Sequence, residues 1–169
     1  VTDRIHTFGG NDTVYGEAGA DTIDGGTGDD ILYGDGPGIG YFDSGADHIV
    51  GGDGNDQVYG GAGADTLEGN DGADVINGDA DADTIDGGAG EDVIHGDNLV
   101  LDPLLAGNDT IHGGDDIDVV YGDGGNDTLY GDAGDDELHG DEGDDTLHGG
   151  EGYDWLIGGA GNDHLLGGT

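Results

Sequence analysis

A nine-residue unit repeats along almost the whole chain, and this repeat constrains the fold more than any other feature. Residues 25–33, GGTGDDILY, are a representative copy of the pattern Gly-Gly-x-Gly-x-Asp-x-U-x, in which U is aliphatic. In this register residues 7–166 divide into 16 units, of which 14 have nine residues and two have 17. A fixed short period is typical of solenoids, in which each repeat packs against its neighbours.

Each position of the unit has a recognisable structural use. Glycine at positions one, two and four allows positive φ and close backbone approach, as a tight turn requires. The three residues that follow the aspartate include one aliphatic side chain, and they are too short to form a stable strand alone. We therefore expect each unit to pair with the unit two places away, so that two units make one coil of 18 residues.

The seventh position supports this period of two units. It is threonine or histidine in every even-numbered unit, whereas the odd-numbered units have mostly other residues there. Threonine is thus placed on one face, provided that each 17-residue unit counts as one half-turn. The ninth position of the odd-numbered units adds a second column, which consists of Tyr15, Tyr33, Tyr59, Asn77, His95, Tyr121 and His139.

These residues resemble the RTX (repeats-in-toxin) domain, the haemolysin-type calcium-binding nonapeptide repeat of bacterial proteins that leave the cell by type I secretion. The resemblance implies an all-β fold, a right-handed parallel β-roll (a two-sheet β-solenoid) with calcium ions between stacked turns. It also implies that the first six residues of a unit form a calcium-binding turn and the last three form a short strand.

The resemblance assigns the metal ligands to two sets of residues. The side-chain ligands would be the sixth-position aspartates Asp12, Asp21, Asp30, Asp47, Asp56, Asp65, Asp74, Asp83, Asp92, Asp109, Asp118, Asp127, Asp136, Asp145, Asp154 and Asp163. The backbone carbonyl ligands would come from turn residues such as Gly26, Gly28, Gly52, Gly54, Gly61, Gly63, Gly88, Gly90, Gly159 and Gly161.

Calcium requires six to eight oxygen ligands, and one turn offers about half of them. Two stacked turns should therefore share an ion, as at Asp56 with Asp74 or Asp127 with Asp145. We expect about 9 to 13 filled sites, with Asp81 and Asp116 at the glycine position weakening some. The alternative, that the aspartates merely cap turns, would leave their charge uncompensated.

The acidic side chains at position two are expected to lie in solvent or outside the set of atoms that bind calcium directly. They are Glu17, Asp35, Asp79, Asp97, Asp123, Asp132 and Asp141.

The charge of the chain limits its partners. One Arg, no Lys and 41 acidic residues give a formal net charge of −40, which predicts disorder unless cations neutralise the carboxylates. A basic patch for nucleic acid is missing, and no stretch of about 20 apolar residues could span a bilayer. The chain has no cysteine, so disulfides and thiolate metal sites are excluded.

The repeat divides the chain into a flank, a roll and a tail. We expect residues 1–6 to be a flank, residues 7–166 the roll, and residues 167–169 the truncated start of a further repeat. The two long units, which contain Pro37 and Pro103, predict protruding loops near 35–44 and 97–106. These apolar loops should cover the roll or contact a protein or surface partner.

The leading functional hypothesis is a calcium-binding module that is disordered at low calcium and folds outside the cell, as part of a larger secreted or surface protein. An alternative is a calcium-stiffened adhesin or surface-layer scaffold, and a third hypothesis is ice or polysaccharide binding by the threonine face. No H-E-x-x-H or G-x-S-x-G motif is present, so any catalysis is expected in a neighbouring domain. The histidines are mostly at outward strand positions, where solvated side chains are expected rather than zinc ligands.

Overall fold

The chain folds as strands that alternate between two parallel sheets. The structure is a computed structural model, and it describes residues 1–37, 45–97 and 106–169. Within these residues no helix occurs, and the two sheets form a β-solenoid of about eight turns with about 18 residues per turn. The all-β roll architecture expected from the repeat is confirmed.

Odd-numbered strands form a nine-stranded sheet and even-numbered strands an eight-stranded sheet. The nine-stranded sheet contains β1 Arg4–His6, β3 Thr22–Thr27, β5 His48–Asp53, β7 Thr66–Asp71, β9 Thr84–Ala89, β11 Thr110–Asp115, β13 Thr128–Ala133, β15 Thr146–Glu151 and β17 His164–Leu166. The eight-stranded sheet contains β2 Thr13–Tyr15, β4 Ile31–Tyr33, β6 Gln57–Ala62, β8 Val75–Ala80, β10 Val93–Asp97, β12 Val119–Tyr121, β14 Glu137–His139 and β16 Trp155–Ile157.

The strand register confirms the 18-residue coil. Each strand pairs with the strand two places away, as Thr66 does with Thr84. The long units keep the same register, because Thr84 pairs with Thr110 across the second of them. Each long unit therefore counts as one half-turn. Residues 38–44 and 98–105, where loops were predicted, lie outside the described residues.

The core is a column of aliphatic side chains from the eighth position of the unit. These side chains are buried between the sheets, with Ile5 of β1 and Leu156 of β16 packed against them at the edges. The core residues are Val14, Ile23, Leu32, Ile49, Val58, Leu67, Ile76, Ile85, Ile94, Ile111, Val120, Leu129, Leu138 and Leu147. One large apolar side chain is thus buried for every nine residues ordered, so hydrophobic burial alone is weak support for the fold.

The prediction of three-residue strands is wrong for ten of the 16 units, whose strands have five or six residues. Strand β5 is typical, because it continues from the seventh position of one unit through the third position of the next. Its pairing with β7 resumes at Gly52 and Asp53. Gly52 has φ of 120°, which bends the chain while the backbone still pairs with the next coil. The turn after a six-residue strand is therefore shorter than six residues, whereas the turn after a three-residue strand such as β12 keeps all six.

The outer faces of the two sheets carry the predicted side-chain columns. The threonine-rich seventh positions pair along the nine-stranded sheet, as at Thr110, Thr128 and Thr146. On the eight-stranded sheet the rings of Tyr15, Tyr33 and Tyr59 stack at centroid distances of 4.8 and 4.9 Å. A further ladder, not foreseen from the sequence, stacks His112, Tyr130 and His148 on the nine-stranded sheet.

The outer edges of the turns carry a ladder of Asn and Asp side chains at position five. Asn126 shows the pattern, since its N–H donates to Asn108 Oδ1 at 2.7 Å and its Oδ1 accepts the N–H of Asp144 at 2.8 Å. The same contact joins Asn55 to Asp29 at 3.1 Å. This ladder satisfies exposed turn N–H groups from one coil to the next.

Among the described residues, no helix is long and apolar enough to cross a membrane.

Candidate metal centre

Each sixth-position aspartate immediately precedes a strand, so the two sheets place these residues in two stacks. The loop-side stack lies in the turns that contain the long units and consists of Asp21, Asp47, Asp65, Asp83, Asp109, Asp127, Asp145 and Asp163. The opposite stack consists of Asp12, Asp30, Asp56, Asp74, Asp92, Asp118, Asp136 and Asp154. Thirteen of the 16 are buried.

One oxygen of nearly every one of these carboxylates is fixed by a hydrogen bond to the neighbouring coil. Asp74 Oδ1 accepts the N–H of Asp56 at 2.8 Å, and Asp145 Oδ1 accepts the N–H of Asp127 at 2.9 Å. The same bond occurs along both stacks in the described residues, with distances of 2.7 to 3.2 Å. This hydrogen bond therefore fixes the orientation of the carboxylate in the folded roll.

The second oxygen of these carboxylates is buried and has no hydrogen-bond partner. This applies to Oδ2 of Asp12, Asp21, Asp30, Asp47, Asp56, Asp65, Asp74, Asp83, Asp92, Asp109, Asp118, Asp127, Asp136, Asp145 and Asp154. Buried acceptors are normally satisfied, and leaving one unsatisfied destabilises a fold by about 1 to 3 kcal/mol. A column of unsatisfied carboxylate oxygens is the observation that best fits a row of bound cations.

The first glycine of each unit leaves room for a ligand beside the unsatisfied oxygen. A Cβ on Gly60 would lie 2.5 Å from Asp65 Oδ2 and 2.6 Å from the carbonyl oxygen of Gly78, in the next coil. A Cβ on Gly51 would likewise lie 2.5 Å from Asp56 Oδ2 and 2.8 Å from the Gly69 carbonyl oxygen. Oxygens from two successive coils thus converge on one point, which a side chain would occupy.

The turn glycines expected to supply carbonyls have the required left-handed backbone. Gly26, Gly28, Gly52, Gly54, Gly61, Gly63, Gly88, Gly90, Gly159 and Gly161 have φ between 94° and 150°. Asp81 and Asp116 replace glycine at position four, and their φ values of 74° and 80° keep the same conformation. Their carbonyl oxygens still face the next coil, at Gly107 and Gly134. Both substitutions therefore preserve the turn.

The donor set fits calcium better than a transition metal. Within the described ranges, 1–37, 45–97 and 106–169, no three His, Cys, Asp or Glu side chains form a group that could hold a metal ion. An ion between the turns would combine one or two carboxylates with backbone carbonyls. Calcium accepts such mixed oxygen shells of six to eight ligands, whereas zinc favours four nitrogen or sulfur ligands.

Burial makes the ionised form of these aspartates unfavourable. Desolvation, together with neighbouring carboxylates, raises the pKa of Asp83 to about 9. The same causes raise the pKa of Asp65 and of Asp127 to about 8, and that of Asp74 and of Asp118 to about 7. Hydrogen bonds from the backbone oppose these shifts and are too weak to cancel them. The ionised stacks need a counter-charge.

Without calcium, acidification is expected to favour the folded roll. The folded pKa of Asp83 is about 9 against an ordinary value of 3.8, so the fold binds this proton more tightly than the unfolded chain does. This contribution is complete below about pH 4 and is lost as the pH rises to about 9. We predict that far-UV circular dichroism in excess chelator shows more β structure at about pH 5 than at about pH 8. A fall in β content on acidification would contradict this result.

The acidic residues at position two divide into outward and buried groups. Asp123 and Asp132 have φ of 66° and 68°, and their side chains are 17% and 44% exposed. Asp97 differs, because it is only 3% exposed. Asp97 is therefore not in solvent, and its carboxylate turns inward where the second long unit begins. The expectation for the position-two acids, a place in solvent or outside the direct ligands, stays a prediction.

The histidines lie on the outer faces, as expected, and several pair with single carboxylates. His95 Nδ1 lies 3.0 Å from Asp123 Oδ2, and His112 Nδ1 lies 2.7 Å from Asp132 Oδ2. His95 is on β10 and His112 is on β11, so these two side chains belong to opposite sheets. The pairs form no convergent nitrogen site within the described residues.

Comparison with known proteins agrees with this geometry. The family model described as RTX calcium-binding nonapeptide repeat (4 copies) matches residues 6–36, 43–76, 68–98, 105–138 and 139–169. No curated protein matches the chain. The family matches cover almost all of the solenoid, and both the register and the aspartate stacks follow the family's repeat. The chain therefore belongs to the RTX calcium-binding nonapeptide repeat family, and it is a calcium-binding structural module.

Proposed function

We propose that this module folds when it binds calcium and that it serves as a folding and structural unit of a larger secreted protein. The unsatisfied Oδ2 oxygens of the two aspartate stacks carry this proposal. A bound calcium ion supplies positive charge and accepts oxygens from two coils. The ladder of Oδ1 hydrogen bonds orients the carboxylates, and the first-position glycines leave the space beside Oδ2 open.

The proposed ligands are the sixth-position aspartates together with turn carbonyls. Asp65 illustrates the arrangement, because its Oδ1 accepts the N–H of Asp47 at 2.8 Å while its Oδ2 faces the space beside Gly60. With a formal net charge of −40 and 41 acidic residues, the free chain repels itself. Metal binding therefore contributes directly to the free energy of folding.

The calcium affinity expected for such a module supports an extracellular location. Extracellular calcium modules bind at about 0.1 to 1 mM, which is far above the free calcium concentration of a cytoplasm. A chain with this affinity would stay unfolded inside the cell and fold after export. Repeats of this family are typical of secreted bacterial proteins, which supports the proposed extracellular location.

Counting the bound calcium tests the proposed ligands. Equilibrium dialysis of the full chain at saturating calcium is expected to give about 9 to 13 ions per chain, and an excess of magnesium should displace few of them. A count of one or two ions would contradict the proposal, since it would leave most of the aspartate stacks without a counter-charge.

A further inference from the structure

Asp97 occupies position two of the second long unit, and in short units such as those of Asp123 and Asp132 the acidic side chain at this position pairs with a histidine on the outer face. Asp97 ends strand β10, pairs in register with Asp79 and directly precedes residues 98–105. Asp79 has φ of 79°, like other non-glycine residues at position two, whereas Asp97 does not have positive φ. Asp97 is consequently buried, while Asp123, one coil further, is half-buried.

The buried carboxylate joins the two ends of the long unit. The N–H of Gly107 donates to both oxygens of Asp97, at 3.1 and 3.2 Å, and the N–H of Gly124 in the next coil is also a donor. In a short unit the equivalent glycine donates to a backbone carbonyl, as Gly125 does to Glu142 at 2.9 Å. At the long unit, a charged side chain thus replaces a neutral backbone acceptor.

The same place is lined by oxygens of the loop-side stack. Asp109 Oδ1 is 2.8 Å from the point where a Cβ on Gly107 would lie, and the carbonyl oxygen of Asp81 faces that point too. Asp109 Oδ2 is buried without a partner. A Cβ on Gly96, the residue before Asp97, would contact this oxygen. Two buried carboxylates are therefore adjacent, and one of their oxygens is unsatisfied.

We propose that Asp97 is a side-chain calcium ligand outside the nonapeptide pattern, at the turn that contains Gly107 and Asp109 of the second long unit. This inference rests on the proposed function of the aspartate stacks. The additional carboxylate is expected to make this turn bind its ion more tightly than a turn that has sixth-position aspartates alone, because affinity for calcium rises with the number of charged ligands. The ion then closes the base of the long unit onto the roll.

Asp35 is the counterpart in the first long unit. Its Oδ2 accepts the N–H of Ala62 at 3.0 Å, as Asp97 accepts that of Gly124. Ala62 and Gly124 each occupy the third position of the unit one coil further along the loop-side stack. At both places where the repeat is interrupted, an acidic side chain at position two thus accepts an N–H from the next coil.

The test compares Asp97→Asn with Asp123→Asn in the full chain. Asparagine keeps an oxygen for the N–H of Gly107 and removes the charge, so the hydrogen bond at the base of the long unit is retained. Equilibrium dialysis is expected to show one calcium ion fewer, or one site weakened about tenfold or more, for Asp97→Asn. Asp123→Asn, altered at position two in the next coil, should bind the wild-type number with wild-type affinity.

A double variant, Asp35→Asn with Asp97→Asn, is expected to affect two sites. Binding of the full complement with wild-type affinity by Asp97→Asn and by the double variant would overturn the inference and assign both residues to hydrogen bonding alone. That result would leave the proposed function intact. Failure of the wild-type chain to bind calcium would instead overturn the proposed function itself, so the two failures are distinguishable.

Discussion

Replacing Gly60 with alanine is expected to destabilise the calcium-saturated roll by about 1 to 3 kcal/mol through overpacking, and to remove a bound ion as well. The added methyl group would lie 2.5 Å from Asp65 Oδ2 and 2.6 Å from the Gly78 carbonyl oxygen. The backbone oxygen cannot move without disturbing the next coil. Denaturant unfolding in excess calcium and a count of bound ions measure the two effects.

Gly167→Ala is the matched control for this substitution. Gly167 is also the first glycine of a repeat, but a Cβ there would have no atom within 4 Å. We expect this variant to unfold at the same denaturant concentration as the wild type and to bind the same amount of calcium. Equal losses of stability and of bound calcium in the two variants would show that any alanine at a first-position glycine strains the backbone. The loss in Gly60→Ala would then not depend on the space beside Asp65.

Asparagine at Asp65, Asp83 and Asp127 together is expected to have opposite effects with and without calcium. In calcium, the variant loses three charged ligands, and its midpoint for calcium-induced folding should rise about tenfold or more. In chelator at about pH 7.5 it should contain more β structure than the wild type, because three carboxyl groups that burial disfavours as anions are now neutral. Asparagine retains the oxygen that accepts the backbone N–H.

Circular dichroism in calcium and in chelator measures both halves of this prediction. Asp132→Asn serves as the control, since this carboxylate is 44% exposed on the outer face and should change neither result. If the triple variant lost β structure in chelator as well, the aspartates would be stabilising the metal-free fold, and the assignment of Oδ2 to a cation would be contradicted.

The repeat predicts the coil, the core and the aspartate stacks, because the position of each residue in them depends only on the length of the repeat. A spacing of 18 residues fixes which strands pair, as at Thr66 and Thr84, and the eighth position then lies inside at every half-turn. The same period places threonine on one sheet and the Tyr15, Tyr33 and Tyr59 column on the other. These features follow from sequence position without knowledge of backbone detail.

Features that depend on local backbone geometry could not be predicted in this way. Six-residue strands form because left-handed residues such as Gly52 let the chain bend and still pair. The burial of Asp97 depends on the changed backbone at the start of the long unit. The sequence does not show this change, because Asp123, which pairs with His95 on the outer face, also follows a first-position glycine. The ladder through Asn108, Asn126 and Asp144 has a sequence signal, the amide or acid at position five, but that position varies along the chain.

Far-UV circular dichroism of the full chain during a calcium titration tests the central claim most directly, with magnesium as the control and chelator added at the end. The account predicts a coil spectrum at neutral pH that changes cooperatively to β structure at about 0.1 to 1 mM calcium, does not respond to magnesium, and reverts with chelator. A β spectrum that is unaffected by calcium and by chelator would contradict the account, because the aspartate stacks would then fold without a counter-ion.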